Sequence, residues 1–254
     1  MPENVFLISD IHGSWFPIKK FYNQIKYCLS KDYKENLMII LGDEGINFKL
    51  NEEDTAIKIK LSSYPFTYFC VRGNHDMRPE DLAKRDPSNW HKEERFGNIV
   101  WVENKFPQIL YALDGGGEYQ INNKSILVIP GAYSVDKLFR LVYGWAWNPT
   151  EQLNGAEKAL LLKNLKPHYD IILSHTCPYS WQPFIQDLFL PQVDQSQLDK
   201  SMEVFLDKIA EEADYDLWYW GHYHSNRDIP EVKGVMVYHQ VLPFGENYSS
   251  CLKY

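Results

Sequence analysis

The chain has 254 residues, of which 44% are hydrophobic and 24% charged, and this composition excludes an intrinsically disordered protein. The net charge of −8 argues against binding along extended nucleic acid, because such binding needs lysine and arginine to neutralise phosphates. The length lies at the upper end of one compact domain and the composition is even, so we expect a single domain over residues 1–254.

Cysteine usage and the absence of long apolar runs indicate where the chain resides. Cys28, Cys70, Cys177 and Cys251 show no C-x-x-C spacing, so we expect neither a zinc ribbon nor a disulfide framework, as is typical of a reducing compartment. The opening "NVFLISD" is too short for a signal peptide, and no apolar run approaches the roughly 20 residues of a membrane span. We therefore expect a cytoplasmic protein with no membrane partner.

The first third of the chain alternates between predicted strands and helices. Residues 4–9, 37–41 and 66–71 are short and apolar, which predicts buried strands. Apolar residues recur at helical spacing over 18–29, and residues 51–62 predict a second helix. The order strand, helix, strand, helix, strand indicates parallel pairing through right-handed crossovers, and hence an α/β fold.

The middle and the end of the chain add further strands and helices. Four closely spaced apolar runs, separated by turn residues such as Pro107 and the glycines at 115–117, predict antiparallel hairpins over residues 98–102, 109–113, 118–122 and 125–129. Helices are predicted over about 150–165 and 202–213, and strands over 170–174, 216–220 and 234–239.

Side chains that are able to bind metals follow five of the predicted strands directly. They are Asp10 and His12 in "SDIHG", Asp43 in "LGDEG", Asn74 and His75 in "RGNHD", His175 after "DIILS", and His222 and His224 in "GHYH". Ligands gather at the carboxyl ends of strands in open α/β sheets, so we expect the five strand ends to converge. Each motif alone is more typical of a turn or of a hydrogen-bonded core histidine, and the metal-site interpretation depends on their combination.

The residue types indicate which metals this site would bind. Carboxylates and imidazoles without thiolates suit zinc, manganese, iron or nickel, and manganese is our first choice. The ligands are too many for one ion, and two ions roughly 3.5–4 Å apart need a bridging carboxylate, for which Asp43 is the natural candidate. We therefore expect two divalent metal ions as cofactors.

As an ordered set, D-x-H, G-D, G-N-H-D, a later histidine and G-H-x-H resemble the calcineurin-like metallophosphoesterases, and in particular their small bacterial or phage-type members. The resemblance extends from Asp10 to His224. It implies a four-layer α/β/β/α sandwich with two mixed β-sheets and a binuclear metal site. It also implies an enzyme that hydrolyses phosphoric esters.

The resemblance also assigns a role to each motif residue. It implies one ion held by Asp10, His12 and His224, a second held by Asn74, His175 and His222, and Asp43 as the bridge. His75 would act as a general acid at the leaving-group oxygen or as a donor to the phosphate. Two roles stay open for Asp76, which either orients His75 or caps the following segment.

One departure from the family pattern bears on the substrate. Protein phosphatases of the family continue the second motif as G-D-x-x-D-R-G, but this chain has Ile46 and Asn47 in place of the second Asp and the Arg. This argues against a protein phosphatase. The segments 131–147 and 178–196 look like substrate-facing insertions with few helix signals, in which we expect a phosphate clamp and rings that pack on the organic part of the substrate. The three candidates are Arg140, Trp147 and Trp181.

The sequence therefore predicts a phosphoester hydrolase in which a hydroxide bridging two metals attacks phosphorus. The missing clamp and the many aromatic residues favour a phosphodiester or nucleotide-type substrate, because rings can stack on a base. A small phosphomonoester is the closest alternative. A nuclease and a catalytically silent metal-binding module are the remaining ones, and the oligomeric state stays open.

Overall fold

The computed structural model describes residues 2–144 and 147–251. The strands are β1 (Asn4–Ile8), β2 (Asn36–Ile40), β3 (Thr67–Cys70), β4 (Trp90–Arg95), β5 (Asn98–Glu103), β6 (Ile109–Tyr111), β7 (Gly117–Ile121), β8 (Lys124–Ile129), β9 (His168–Ser174), β10 (Asp214–Trp220), β11 (Arg227–Ile229), β12 (Gly234–Met236) and β13 (Leu242–Pro243). The α-helices are α1 (Phe16–Ile25), α2 (Glu52–Leu61), α3 (Pro79–Arg85), α4 (Lys137–Tyr143), α5 (Gly155–Lys163), α6 (Ser201–Glu212) and α7 (Tyr248–Cys251). No helix in the described ranges is long and apolar enough to cross a bilayer.

The strands form two mixed β-sheets. The first sheet has the order β13-β1-β2-β3-β6-β5-β4, and the second has the order β11-β12-β10-β9-β8-β7. β1, β2, β3 and β6 are parallel neighbours, as are β8, β9, β10 and β12, while the remaining pairs are antiparallel. The parallel strands lie in the middle of each sheet, so their carboxyl ends share one edge.

The two sheets pack face to face and helices cover their outer faces. On β2, Leu37 and Ile39 point into the core between the sheets, whereas Met38 and Ile40 pack on the outer side with α1, α2 and α3. The second sheet alternates in the same way, with α5 and α6 over its outer face. Side chains of a strand alternate between the two faces of its sheet, so these central strands are apolar on both sides. The result is the expected four-layer α/β/β/α sandwich.

The elements predicted from hydrophobic periodicity all occur, with ends within a few residues of their predicted positions. The predicted parallel pairing of the first three strands is confirmed. The antiparallel pairing predicted for the middle of the chain is correct for β5 with β6 and for β7 with β8. The chain changes sheet between β6 and β7, at the glycines 115–117, which the sequence did not indicate.

Some strands and helices were not predicted, because their apolar residues follow a weak or misleading periodicity. β4 has the sequence "WHKEER" and is a largely exposed edge strand, so its charges mask the alternation. The segment 131–147 was expected to be irregular, but it contains α4, whose Leu138, Leu141 and Val142 are exposed. Its apolar residues therefore do not mark one buried face. Residues 145 and 146 of that segment lie outside the described residues.

Phe69 is a suitable position at which to test the packing between the sheets. It is fully buried, and its ring centroid lies 5.0 Å from that of Tyr119 and 5.6 Å from that of Phe96. We expect Phe69→Ala to lower the free energy of unfolding by about 3–5 kcal/mol, because it leaves a cavity between the sheets. In urea titrations, Phe16→Ala is the matched control, since Phe16 is 65% exposed. Equal losses in the two variants would contradict this account of the core.

Candidate metal centre

The loops that follow five central strands bring all the predicted ligands together at one edge of the sandwich. Three of these strands belong to the first sheet and two to the second. The ligands are Asp10 and His12 after β1, Asp43 after β2, Asn74 after β3, His175 after β9, and His222 and His224 after β10. His75 follows Asn74 and lies at the same place. The convergence expected from the strand order is therefore present in the structure.

Asp10, His12 and His224 form one group of potential ligand atoms. Nε2 of His12 lies 3.0 Å from Nε2 of His224, and Nε2 of His224 lies 3.5 Å from Oδ1 of Asp10. The backbone N–H of His222 donates to both carboxylate oxygens of Asp10, at 3.0 and 3.2 Å. These bonds hold a fully buried carboxylate beside the two imidazoles.

The Asp43 carboxylate lies between this group and a second one. One of its oxygens, Oδ1, is 3.4 Å from Nε2 of His175, and the other, Oδ2, is 4.0 Å from Nε2 of His12. Oδ1 also accepts a hydrogen bond of 2.8 Å from the backbone N–H of His75. Each oxygen thus faces a different group of predicted ligands, which is the arrangement that a bridging carboxylate requires.

Asn74 and His175 make up most of the second group. Nδ1 of His175 lies 2.6 Å from the carbonyl oxygen of Leu41, so the ring donates there and leaves its Nε2 lone pair free for a ligand. That Nε2 faces Oδ1 of Asn74 at 3.0 Å. The ring of His222 lies beside that of His175, with 5.1 Å between their centroids.

A chain of hydrogen bonds sets the orientation of the Asn74 amide. Its Nδ2 donates to the Ser134 hydroxyl at 3.0 Å, and that hydroxyl donates to Oε2 of Glu151 at 2.5 Å. Trp147 donates to the same oxygen through Nε1 at 2.8 Å. Since the amide nitrogen is held by Ser134, the amide oxygen points to His175 as a metal ligand would.

The electrostatics of the cluster fit divalent cations. Burial alone would raise the pKa of Asp43, but the imidazoles around it, that of His175 first, hold this pKa well below its usual range. Burial would lower the pKa of His175, yet mainly Asp43 raises it to about 9. Burial, together with His175, lowers the pKa of His222 to about 3. Asp43 is thus held ionised and His222 neutral, the forms in which these groups bind metals, and the convergence of nitrogen and oxygen lone pairs suits metals such as manganese, iron, nickel or zinc.

Most of the predicted ligands have an unusual backbone conformation. Five residues have left-handed φ values: Asp10 (53°), His12 (44°), Asp43 (52°), His222 (69°) and His224 (50°). Such values cost free energy in residues other than glycine and cluster at functional sites. Gly73 serves a different purpose, since an added Cβ would lie 2.1 Å from Oδ1 of Asp43. Glycine at this position allows the backbone after β3 to approach Asp43 closely.

His75 lies at the border of the cluster and contacts a cation from α4. Its Nε2 is 3.8 Å from Oδ2 of Asp43 and 2.7 Å from Nη2 of Arg140. Burial lowers the pKa of His75; Asp43 opposes this effect and Arg140 adds to it. Arg140 is 4% exposed, and its Nε donates to Asp136 at 2.8 Å. The guanidinium is thus held beside the imidazole rather than on the far surface.

A small cavity connects these residues with Trp147. Its walls include Phe48, Asn74, His75, Arg140 and Trp147. The ring centroid of Phe48 lies 5.6 Å from that of His75 and 5.4 Å from the guanidinium carbon of Arg140. Two of the three predicted substrate-contacting side chains therefore face the space beside the cluster. Their binding of substrate stays a prediction.

The Asp76 carboxylate binds backbone N–H groups instead of the His75 ring, so it does not orient His75 as one alternative expected, and its catalytic assignment stays a prediction. Its carboxylate accepts backbone N–H groups from Asp43 and Gly73, both at 2.8 Å, and from Gly45 at 3.2 Å. These bonds connect the loop after β2 with the loop after β3. Asp76 therefore positions the backbone that carries the ligands, because a short carboxylate side chain readily captures N–H groups in adjacent turns.

Trp181 lines neither of the two cavities beside the cluster, contrary to the expectation that it faces the pocket. Trp181 is 5% exposed and packs in the core on the outer face of the second sheet. Its ring centroid lies 5.0 Å from that of Trp218 and 5.3 Å from that of Trp220. The 3₁₀-helix Tyr179–Phe184 turns this ring inwards. Burial of a large apolar ring decides its orientation here.

Three side chains that support the cluster were not predicted from the sequence. Ser134 and Glu151 hold Asn74, and Phe48 packs on His75 and Arg140. Ser134 and Glu151 belong to no recognisable sequence motif, because their role depends on contacts with residues that are distant in the sequence. Phe48 could have been noticed, since it follows the Asp43 motif by only a few residues.

Comparison with known proteins agrees with this geometry. The sequence model of the calcineurin-like phosphoesterases matches residues 4–226, and the chain therefore belongs to this family. It is accordingly a metallophosphoesterase, an enzyme that hydrolyses phosphoric esters, in a family that typically uses a binuclear metal centre. No curated protein sequence matches the chain.

Two solved structures illustrate how distant its relatives are. The crystal structure of TT1561 of Thermus thermophilus is 13% identical with a TM-score of 0.51, covering 94% of this chain and 89% of that one. Phosphopantetheinyl hydrolase (PptH) of Mycobacterium tuberculosis is 12% identical with a TM-score of 0.47, covering 92% and 88%. The likeness to TT1561 supports the fold alone, and the substrate must be argued from the site.

Removal of the predicted bridge should affect both ions. We expect Asp43→Asn to lower the metal content towards zero, because the bridging charge is lost, whereas His12→Ala should lose about one ion per chain. Elemental analysis of the purified variants measures both effects. His91→Ala on the exposed edge strand β4 is the control and should keep the full content. Two ions per chain in Asp43→Asn would contradict the bridge.

Proposed function

We propose that the protein hydrolyses a phosphodiester or nucleotide-type small molecule at two divalent metal ions. The observation that carries this proposal is that the ligand cluster borders two separate cavities. One has about 50 Å³ and is lined by His75, Arg140 and Trp147. The other has about 230 Å³ and is lined in part by His222 and His224. A phosphodiester has two organic substituents, and two cavities offer a place for each.

Each polar group at the cluster then has a defined task. When bound, the two ions would activate a water molecule and neutralise charge on the phosphoryl group. His75, close to Asp43 and to Arg140, would donate a hydrogen bond or a proton to the departing oxygen. Arg140 would pair with a phosphate oxygen through its guanidinium. Phe48 and Trp147 would exclude water around this ion pair.

A phosphomonoester is the second candidate, and Arg140 is the observation in its favour. A monoester carries a second negative charge that a diester lacks, and an arginine beside the metals could pair with it. A nuclease is disfavoured because the net charge is −8. A silent metal-binding module is disfavoured because Asp10, His12 and His75 all converge with the other ligands.

The finer points of cofactor and location are also proposals. We infer manganese because oxygen and nitrogen ligands without thiolates suit it. We infer the cytoplasm because the four cysteines are free, as is typical of a reducing compartment. We keep the expectation of a single domain, in which the segments 131–147 and 178–196 contact the substrate.

The mode of hydrolysis can be tested with two chromogenic esters. We expect manganese-loaded protein to hydrolyse bis(4-nitrophenyl) phosphate with a higher kcat/KM than 4-nitrophenyl phosphate. Arg140→Ala should lower kcat/KM for the better ester, because a charge-assisted hydrogen bond is lost. The loss should correspond to about 1–3 kcal/mol of activation free energy, with unchanged metal content.

Arg95→Ala, on the exposed edge strand β4, is the matched control for Arg140→Ala and should behave like the wild type. Preference for the monoester would favour the second candidate. Hydrolysis of neither ester, nor of single-stranded nucleic acid, by protein carrying two ions would favour the silent module.

His75 should influence the rate more than the metal content. We expect His75→Ala to lower kcat by about 10²–10⁴ on an ester with a poor leaving group, because protonation of the departing oxygen is lost. The loss should be smaller for a 4-nitrophenyl ester, whose leaving group needs no proton. The measurement compares an alkyl with a 4-nitrophenyl ester at equal metal loading. Equal losses on both would assign His75 to phosphate binding alone.

A further inference from the structure

The larger cavity beside the metal centre has features that indicate what kind of group it takes. Its walls are mainly apolar and aromatic: Val135, Leu188, Phe189, Val193, Leu198 and Tyr223. Its volume of about 230 Å³ lies below the roughly 300–1,000 Å³ of sites for drug-sized ligands. The cavity therefore suits one small ring system rather than an extended chain.

Tyr223 connects this cavity with the predicted metal ligands. It stands between His222 and His224 in the sequence, and its ring centroid lies 5.1 Å from that of His222. On its other side, the ring of Phe189 is 6.3 Å away. These two rings are too close for a third ring to stack between them, so a ring system in the cavity would pack against them and lie next to a phosphoryl group at the metals.

Glu203 gives the apolar cavity a polar base. This residue of α6 lines the cavity and is 3% exposed. Among the described residues, none donates a hydrogen bond to its Oε2. The nearest cation, Nζ of Lys200, is 4.0 Å from the other oxygen and donates instead to Gln195 at 3.1 Å. A buried carboxyl oxygen without a partner is costly, so a ligand that supplies a donor would be favoured here.

The donor must come from a group that also fits the apolar walls. Burial raises the pKa of the Glu203 carboxyl, but the group accepts an N–H in either charge state. An amino-bearing nitrogen heterocycle offers flat faces for Phe189 and Tyr223 and an N–H edge for the carboxyl. A plain hydrocarbon ring lacks the edge, and a sugar lacks the apolar faces.

Building on the proposed function, we propose that this cavity binds the amino-bearing nitrogen heterocycle of the substrate, of the kind found in nucleobases, through Glu203. The phosphoryl group of the same molecule then lies at the metals. Glu203 would be a specificity residue, since it contacts the substrate away from the reacting bond.

Nucleosides test the cavity without any hydrolysis. Adenosine and purine riboside differ only in the exocyclic amino group, and neither contains phosphate. We expect the metal-loaded protein to bind adenosine about tenfold more tightly than purine riboside in calorimetric titrations, as is typical for one hydrogen bond to a carboxylate. In Glu203→Leu the two nucleosides should bind equally. Glu211→Leu, at the exposed end of the same helix, should keep the preference.

A second variant keeps the test valid if Glu203→Leu does not fold. Val193→Trp fills the cavity and should weaken both nucleosides by at least about tenfold, with unchanged metal content. Equal affinity of the wild-type protein for the two nucleosides, or a preference that survives in Glu203→Leu, would overturn the inference. Hydrolysis of bis(4-nitrophenyl) phosphate, measured alongside, tests the proposed function alone. Discrimination between nucleosides without any hydrolysis would support the cavity and overturn the proposed function.

Discussion

The site depends on keeping two carboxylates, those of Asp10 and Asp43, buried where the two sheets meet. Both are at most 2% exposed, and an unpaired buried charge of this kind costs several kcal/mol. The backbone offsets part of this cost, because the N–H groups of His222 and His75 donate to these carboxylates. The imidazoles around Asp43 offset a further part of this cost. Divalent ions held by the predicted ligands would offset the remainder.

The local backbone follows from this constraint. Carboxylates and imidazoles can converge from two sheets only if the chain turns sharply after each strand, which explains the left-handed φ values of the ligands. Asp76 joins two of these loops through backbone N–H groups, and Glu151 fixes Asn74 through Ser134. The predicted ligands are therefore held by a layer of polar groups that are not themselves predicted ligands. Removal of that layer would misplace the ligands without removing any of them.

Much of the fold and of the metal centre could be predicted because both depend on patterns close in sequence. Buried parallel strands are apolar throughout, and each predicted ligand follows such a strand directly. The contacts of Asp76 and Trp181 could not be predicted because their partners are distant: backbone N–H groups of two loops for the first, and Trp218 and Trp220 for the second. Short-range patterns carry no information on contacts of this kind. Hydrogen bonds orient Asp76, and packing orients Trp181.

The predicted ligands and the walls of the neighbouring cavities come in part from different segments of the chain. The strand ends carry the predicted ligands. Residues 188–198 form a large part of the wall of the larger cavity, and the smaller cavity lies between the loops after β2 and β3 on one side and Arg140 and Trp147 on the other. Asn47, which stands where related protein phosphatases have arginine, borders the same cavity as Arg140. A guanidinium from α4, anchored by Asp136 and packed on Phe48, thus reaches the space next to His75 from another direction. If Arg140 binds phosphate as proposed, the clamp has moved to a segment that can change without disturbing the metal ligands. Substrate preference then depends on the shape of α4 and of residues 188–198, and the ligand motifs alone do not encode it.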